Sequence, residues 1–244
     1  MKQSVFITTL LVVALAVSTF IYLKLLPDYV QKGGPLVILL ITLTIMVTTF
    51  VLERLFSLRK AQGRGALPVF LRNVQKEINA GHIQAAIDLC DKQRGSCANI
   101  IRTGLERYKM LNEEGNETEQ KEVMREVQAA IDQAMMLEVP LLEKNLIALS
   151  TIASIATMVG LLGTTIGMIR AFRALAHAGA PDAIQLSIGI SEALINTAGG
   201  LLAAILGIVA YNFFTTKVDN FTYMIDEASY SIVQSLTQKT GTGR

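Results

Sequence analysis

Charge is what this chain has least of: 17% of its 244 residues are Asp, Glu, Lys or Arg, against 51% hydrophobic, with a mean hydropathy of +0.44. That balance is too apolar for an ordinary soluble domain of this length. Cysteine and histidine are scarce as well, two of each. Cys90 and Cys97 fall in a stretch expected to be cytoplasmic, where thiols stay reduced, so no disulfide is expected. With His82 they make three conceivable zinc ligands, but the spacing matches no common site and no fourth ligand is evident, which favours buried small apolar residues. The Gly-Lys-Ser/Thr ending of a phosphate-binding loop is absent, and so is any assignable nucleophile with its base or glycosidase-like carboxylate pair. An enzyme is therefore not expected.

The few charges are unevenly placed. Four stretches, 3–23, 33–52, 145–169 and 183–216, carry none apart from Glu192. A helix rises about 1.5 Å per residue and the hydrocarbon core is about 30 Å thick, so each stretch is long enough to cross a bilayer. The fourth exceeds that length and is expected to project beyond the membrane. Between the second and third stretches, residues 53–144 hold 14 of the 22 Lys and Arg and 14 of the 20 Asp and Glu. Arg54, Arg59, Lys60 and Arg64 open this segment, and basic residues beside a span favour the cytoplasmic side.

The expected fold is an all-α integral membrane protein with a cytoplasmic helical insert and long helices extending from the membrane. Its parts are an N-terminal transmembrane helix (1–23), a periplasmic loop (24–32), a second span (33–52), the cytoplasmic domain (53–144), a third span (145–170), a periplasmic loop (171–182), a fourth span (183–216) and a cytoplasmic helix and tail (217–244). The first span also reads as a signal peptide cleaved after Ala14-Leu15-Ala16, but its apolar run continues to Leu23, which favours a retained helix. Within 53–144, apolar residues at helical spacing predict helices over 67–78 and 83–89, a third face through Ile100, Leu105 and Leu111, and a polar loop over 112–118. Residues 119–144 predict a long helix running into the third span, with Pro140 as a possible kink and Met135, Met136 and Leu137 as packing residues.

Two spans carry the functional signal. Gly160, Gly163 and Gly167 recur at intervals of three and four, a spacing that lets helices approach closely in lipid. In the fourth span, Gln185, Glu192, Asn196 and Gly199 fall in one stripe at about 100° per residue, extended by Gly189, Ala193, Gly200 and Thr197. An ionisable group at the bilayer centre costs roughly 2.5–3.5 kcal/mol on insertion scales, so Glu192 needs a partner, water or a proton. Thr164 and Thr197 each lie about 20–25 Å from the outer turn, matched in depth on antiparallel neighbours. They can ring a polar pathway, or each can bond back to its own helix.

Residues 160–167, Gly-Leu-Leu-Gly-Thr-Thr-Ile-Gly, and 189–201, Gly-Ile-Ser-Glu-Ala-Leu-Ile-Asn-Thr-Ala-Gly-Gly-Leu, resemble the paired motifs of the ExbB/TolQ/MotA family, closest to its ExbB and TolQ members. The resemblance implies a homo-oligomeric ring, typically of five subunits, around two single-span ExbD- or TolR-like partners whose aspartate carries the proton. It implies a TonB- or TolA-like force transmitter, a bacterial inner-membrane location, protons as the coupling ion with no cofactor or metal, and no nucleic-acid partner. It places Thr164, Thr197 and Glu192 on the pathway, with Thr165 and Asn196 as secondary candidates, and leaves Gly160, Gly163, Gly167, Gly189, Ala193 and Gly200 to helix packing. Thr157 stands where the family usually has proline, Thr165 replaces a usual valine, and the first span is additional to the family's three-span plan. A non-conducting oligomeric scaffold is the alternative from a different class.

Overall fold

The computed structural model describes residues 3–113, 120–176 and 182–242. These are helical, in the order α1 (Gln3–Lys24), α2 (Asp28–Gln31), α3 (Leu36–Gln62), α4 (Leu67–Ala80), α5 (Ile83–Gln93), α6 (Ser96–Glu113), α7 (Gln120–Glu143), α8 (Leu146–Leu175) and α9 (Ala183–Thr242). Helices α1, α3, α8 and α9 are each long and apolar enough to cross a membrane. The chain forms two compact units: Met1–Glu53 with Asn145–Phe214, and Arg54–Lys144 with Thr215–Arg244.

In the first unit the longest interface is built from residues too small to hold helices apart. Along α8 the buried face runs through Leu149, Ala153, Ala156, Gly160, Gly163, Gly167 and Ala171. Gly160 meets Gly200, Gly167 meets Ala193, Gly189 meets Ala171 and Gly207 meets Ala153. In each pair the residue number rises on one helix as it falls on the other, so α8 and α9 are antiparallel. Leu161, Leu162, Ile169 and Phe172 on α8, and Leu194, Leu201 and Ile205 on α9, point outward and are exposed. This is a membrane pattern: apolar side chains gain little by leaving lipid, whereas glycine and alanine bring backbones into dispersion contact. The N-terminal helix follows the same rule, burying Ala14 and Ser18, with Ser18 Oγ 2.7 Å from Thr42 Oγ1 on α3.

In the second unit the core is conventionally hydrophobic. Phe70, Val74 and Ile78 of α4, Ala86 and Ile87 of α5, Ile100, Ile101 and Leu105 of α6, Val127 and Ile131 of α7, and Phe221, Ile225, Ile232 and Leu236 of α9 are all buried. Burying each large side chain stabilises by about 1.5–3 kcal/mol. Helix α4 ends on Gly81 at φ 90°, a left-handed cap that glycine adopts without a Cβ penalty. Gln75 Nε2 donates to Ser231 Oγ at 2.7 Å. Arg54 is 1% exposed and donates through Nη1 to the Leu142 carbonyl at 3.1 Å.

Three expectations are revised. The helix expected to run from residue 119 into the third span is two helices: α7 continues through Pro140 to Glu143, and Asn145 at φ 64° separates it from α8. Proline weakens the turn before it, and asparagine is among the few residues that tolerate the left-handed region. Met136 and Leu137, expected to pack, are 75% and 74% exposed in the single chain. Helix α8 extends to Leu175, past the expected boundary at residue 170. Residues 114–119, most of the expected polar loop, and 177–181, in the second expected outer loop, lie outside the described residues, while Asn112 is the penultimate residue of α6.

Candidate functional site

The polar residues of α8 and α9 gather toward the end of the small-residue interface nearest the C-terminus of α8. Because glycine and alanine let the two backbones close up, the side chains that do project from this face meet directly. Thr164 Oγ1 and Thr197 Oγ1 are hydrogen-bonded to each other. Each hydroxyl is also within reach of its own helix, Thr164 to the Gly160 carbonyl at 3.2 Å and Thr197 to the Ala193 carbonyl at 3.0 Å. Two hydroxyl protons thus serve three contacts, and only two of the three can be donated at once. The pair can rearrange by rotating one O–H, with no movement of either helix.

One turn further out along α9, Glu192 is buried, its side chain 4% exposed, and both carboxylate oxygens lie 2.6 Å from Nη1 of Arg170 on α8. The guanidinium itself is 54% exposed. The pair therefore has one buried end and one end exposed in the single chain. Gly34, at φ +73° just ahead of α3, closes over the carboxylate: a Cβ there would lie 2.7 Å from Glu192 Oε1. Asn196, fully buried, donates through Nδ2 to the Gly33 carbonyl at 2.7 Å and to the Glu192 carbonyl at 3.0 Å. Its Oδ1 is buried without a hydrogen-bond partner among the described residues. A side chain at Gly163 would collide with Asn196, so that glycine makes room for the amide.

Of the residues singled out from sequence, Thr164, Thr197, Glu192 and Asn196 thus lie together along one seam, bordered by Gly160, Gly163, Gly167, Gly189, Ala193 and Gly200. Thr165 is exposed, its hydroxyl bonded back to the Leu162 carbonyl at 2.8 Å. Gln185 is exposed, and Gly199 packs toward Leu40. Sequence reasoning missed the role of Arg170, the last residue of the expected third span, and the Gly33-Gly34 turn. The signal for Arg170 was the small-residue spacing itself: pairing Gly160 with Gly200 and Gly167 with Ala193 sets residue 170 opposite 190, two residues from Glu192, within reach of a long arginine side chain. Cys90 and Cys97 are free and buried, while His82 is exposed and faces Glu77. Among the described residues, no group of three His, Cys, Asp or Glu is placed to hold a metal.

Four apolar helices with outward leucine and isoleucine faces, closing on an inward strip of hydroxyl, amide and ion pair, define a multi-pass membrane protein with a polar seam between two of its spans. The profile of the MotA/TolQ/ExbB proton channel family matches residues 92–227, and the chain belongs to that family. It is 39% identical over 113 residues to the Tol-Pal system protein TolQ of Haemophilus influenzae, covering 46% of this chain and 48% of that protein. To the biopolymer transport protein ExbB of Pseudomonas putida it is 21% identical over 207 residues, 85% of this chain and 62% of the relative. A putative ExbB homologue of Methanothermobacter thermautotrophicus is 28% identical over 191 residues, 78% and 63% of the two chains. Against the TolQ relatives it matches, the chain spans about half their length.

Proposed function

We propose that this chain is the channel subunit of an inner-membrane motor that uses the proton-motive force, with an ExbD-like partner, to energise TonB-dependent transport across the outer membrane. The observation that carries this reading is the Thr164–Thr197 hydroxyl pair, which joins two spans within the membrane and can reorient its protons in place. Apolar helices already held by glycine and alanine gain little from adding such a pair, or from a buried carboxylate, which is costly in lipid. Proton passage gives these groups a use. In this reading protons are the coupling ion and no cofactor is needed. Several copies of the chain, five by analogy with the family, ring two single-span partner helices, and a TonB- or TolA-like protein carries the force. Residues 53–144 and the C-terminal part of α9 are cytoplasmic, consistent with the basic residues that follow the second span.

The second reading is a TolQ-like subunit for envelope maintenance, supported by the 39% and 36% identities to two TolQ proteins. Both readings are tested by co-expressing the chain with an ExbD-like protein and comparing wild type, Thr197→Val and Glu192→Gln. Loss of proton-motive-force-dependent uptake with intact complexes supports the channel; normal uptake in both variants favours a non-conducting scaffold. Restored envelope integrity in a strain lacking TolQ, without restored uptake, favours the second reading.

A further inference from the structure

The basic residues that follow the second span do not form one uniform patch. Arg54 is buried inside the second unit. Lys60 and Arg64, with Arg94 from the turn between α5 and α6, line a cavity of about 490 Å³ whose wall also includes Glu138, Asn99 and Leu141. The single carboxylate is engaged by Asn99 Nδ2 at 3.0 Å. Lys60, Arg64 and Arg94 make no ion pair among the described residues. The cavity therefore gathers three cations against one carboxylate.

Backbone contacts fix that arrangement. The amide of Arg64 donates to the Gln93 carbonyl at 2.8 Å, and Gln93 Nε2 donates to the carbonyls of Gln62 and Gly65, each at 3.2 Å. Gly63 and Gly95, at φ +81° and +105°, allow the two turns to touch, since a Cβ on either would collide with backbone opposite. Arg94 itself sits at φ 54°, where a non-glycine residue is uncommon. The touching turns set Arg64 and Arg94 on the wall of the cavity that Lys60 also lines, so an anion entering it meets three cations.

Helix α3 is unbroken from Leu36 to Gln62. Lys60 lies about two turns past Leu52, the last residue of the uncharged stretch, and its flexible four-carbon stem can reach back toward the headgroups. Leu141 on the cavity wall and Leu137 one turn before it on α7 are 57% and 74% exposed, an apolar rim that a soluble phosphate would not use.

We propose that the Lys60–Arg64–Arg94 cavity binds the phosphate headgroup of an anionic phospholipid, with the start of its acyl chains against Leu141 and Leu137. A juxtamembrane cation contributes about 1 kcal/mol to anionic-lipid binding, roughly a five-fold change in affinity.

The test uses the full chain in non-ionic detergent, titrated with short-chain phosphatidylglycerol, short-chain phosphatidylcholine and inorganic phosphate. Bound lipid is counted by native mass spectrometry. Arg94→Gln should weaken phosphatidylglycerol binding roughly five-fold, and the Lys60→Gln/Arg64→Gln/Arg94→Gln triple variant on the order of 100-fold. Arg94→Lys and Arg125→Gln, the latter an exposed charge outside the cavity, should bind like wild type. Equal binding by the triple variant, an equal loss in Arg125→Gln, equal binding of phosphatidylcholine, or displacement by inorganic phosphate at equimolar concentration would each overturn the proposal. Should the triple variant elute or melt unlike wild type, the Arg94→Gln and Arg94→Lys pair decides.

Discussion

Arg170→Gln and Glu192→Gln remove opposite halves of one ion pair, and the structure makes their costs unequal. Taking away Arg170 strands a carboxylate whose side chain is 4% exposed, whereas taking away the charge of Glu192 leaves a guanidinium that is 54% exposed in the single chain. Removing one partner of a fully buried pair costs roughly 3–5 kcal/mol, and an exposed pair contributes about 0–1 kcal/mol. With one end buried and one exposed, Arg170→Gln is expected to cost about 2–4 kcal/mol and Glu192→Gln about 0–1 kcal/mol. The double variant is expected to be more stable than Arg170→Gln alone, because it no longer holds an unpaired buried charge, giving a coupling on the order of 1–3 kcal/mol. Thermal unfolding of the four proteins in one detergent, followed by calorimetry, measures this. Equal losses in the two single variants, or a double variant whose loss is the sum of both, would refute the reasoning. The same asymmetry makes Glu192→Gln the suitable activity variant, since the folded complex should survive it.

Gly200→Ala should destabilise by about 1–3 kcal/mol despite the better helix propensity of alanine, because its Cβ would lie 2.7 Å from both the Ala156 carbonyl and Gly160 Cα, which are backbone atoms that cannot swing away; the melting temperature and the assembled fraction report it. Gly34→Ala combines a left-handed φ of +73°, costing roughly 1–2 kcal/mol, with a 2.7 Å approach to Glu192 Oε1, and should lower the melting temperature in wild type. Burial pushes the thiols of Cys90 and Cys97 from an ordinary 9.0 up to about 12. Both should therefore resist iodoacetamide at pH 8 until the second unit unfolds. Since the folded state holds those protons more tightly, their stabilisation is complete below pH 9 and lost as pH rises toward 12, which melting scans across that range can follow.

What was legible in the sequence was whatever leaves a local or periodic trace. The four spans stand out because charge is absent for about twenty residues at a time, and the helices of 67–78 and 83–89 because apolar residues repeat at helical spacing. Thr164 and Thr197 were placed at equal depth by counting residues from one turn. The Gly33 carbonyl that accepts from Asn196 is 163 residues away, and no periodicity in either segment announces such a contact. Arg170 was hidden by its charge, which drew the span's boundary at the residue that pairs inside it. Likewise Lys60 and Arg64 were read as a topological signal, and only the fold brings Arg94 beside them. The break at Asn145 escaped because the residues on both sides are good helix formers and the interruption lies in one residue's φ.

The glycine and alanine ladder between α8 and α9 repeats every seven residues, with Ala153, Gly160 and Gly167 facing Gly207, Gly200 and Ala193. A ladder with equal rungs does not say which rung belongs to which. Slide one helix by a single repeat, about 10 Å, and Gly160 would oppose Gly207, Gly167 would oppose Gly200 and Ala174 would oppose Ala193, all still small. Among the described residues, the Thr164–Thr197 bond, the Arg170–Glu192 pair, and Asn196 seated against Gly163 and bonded to the Gly33 carbonyl tell the correct alignment from its neighbour. The groups that give this seam its chemistry are therefore also its address labels, and a variant stripped of the hydroxyl bond, the ion pair and Asn196 has lost those marks of one threading over the next.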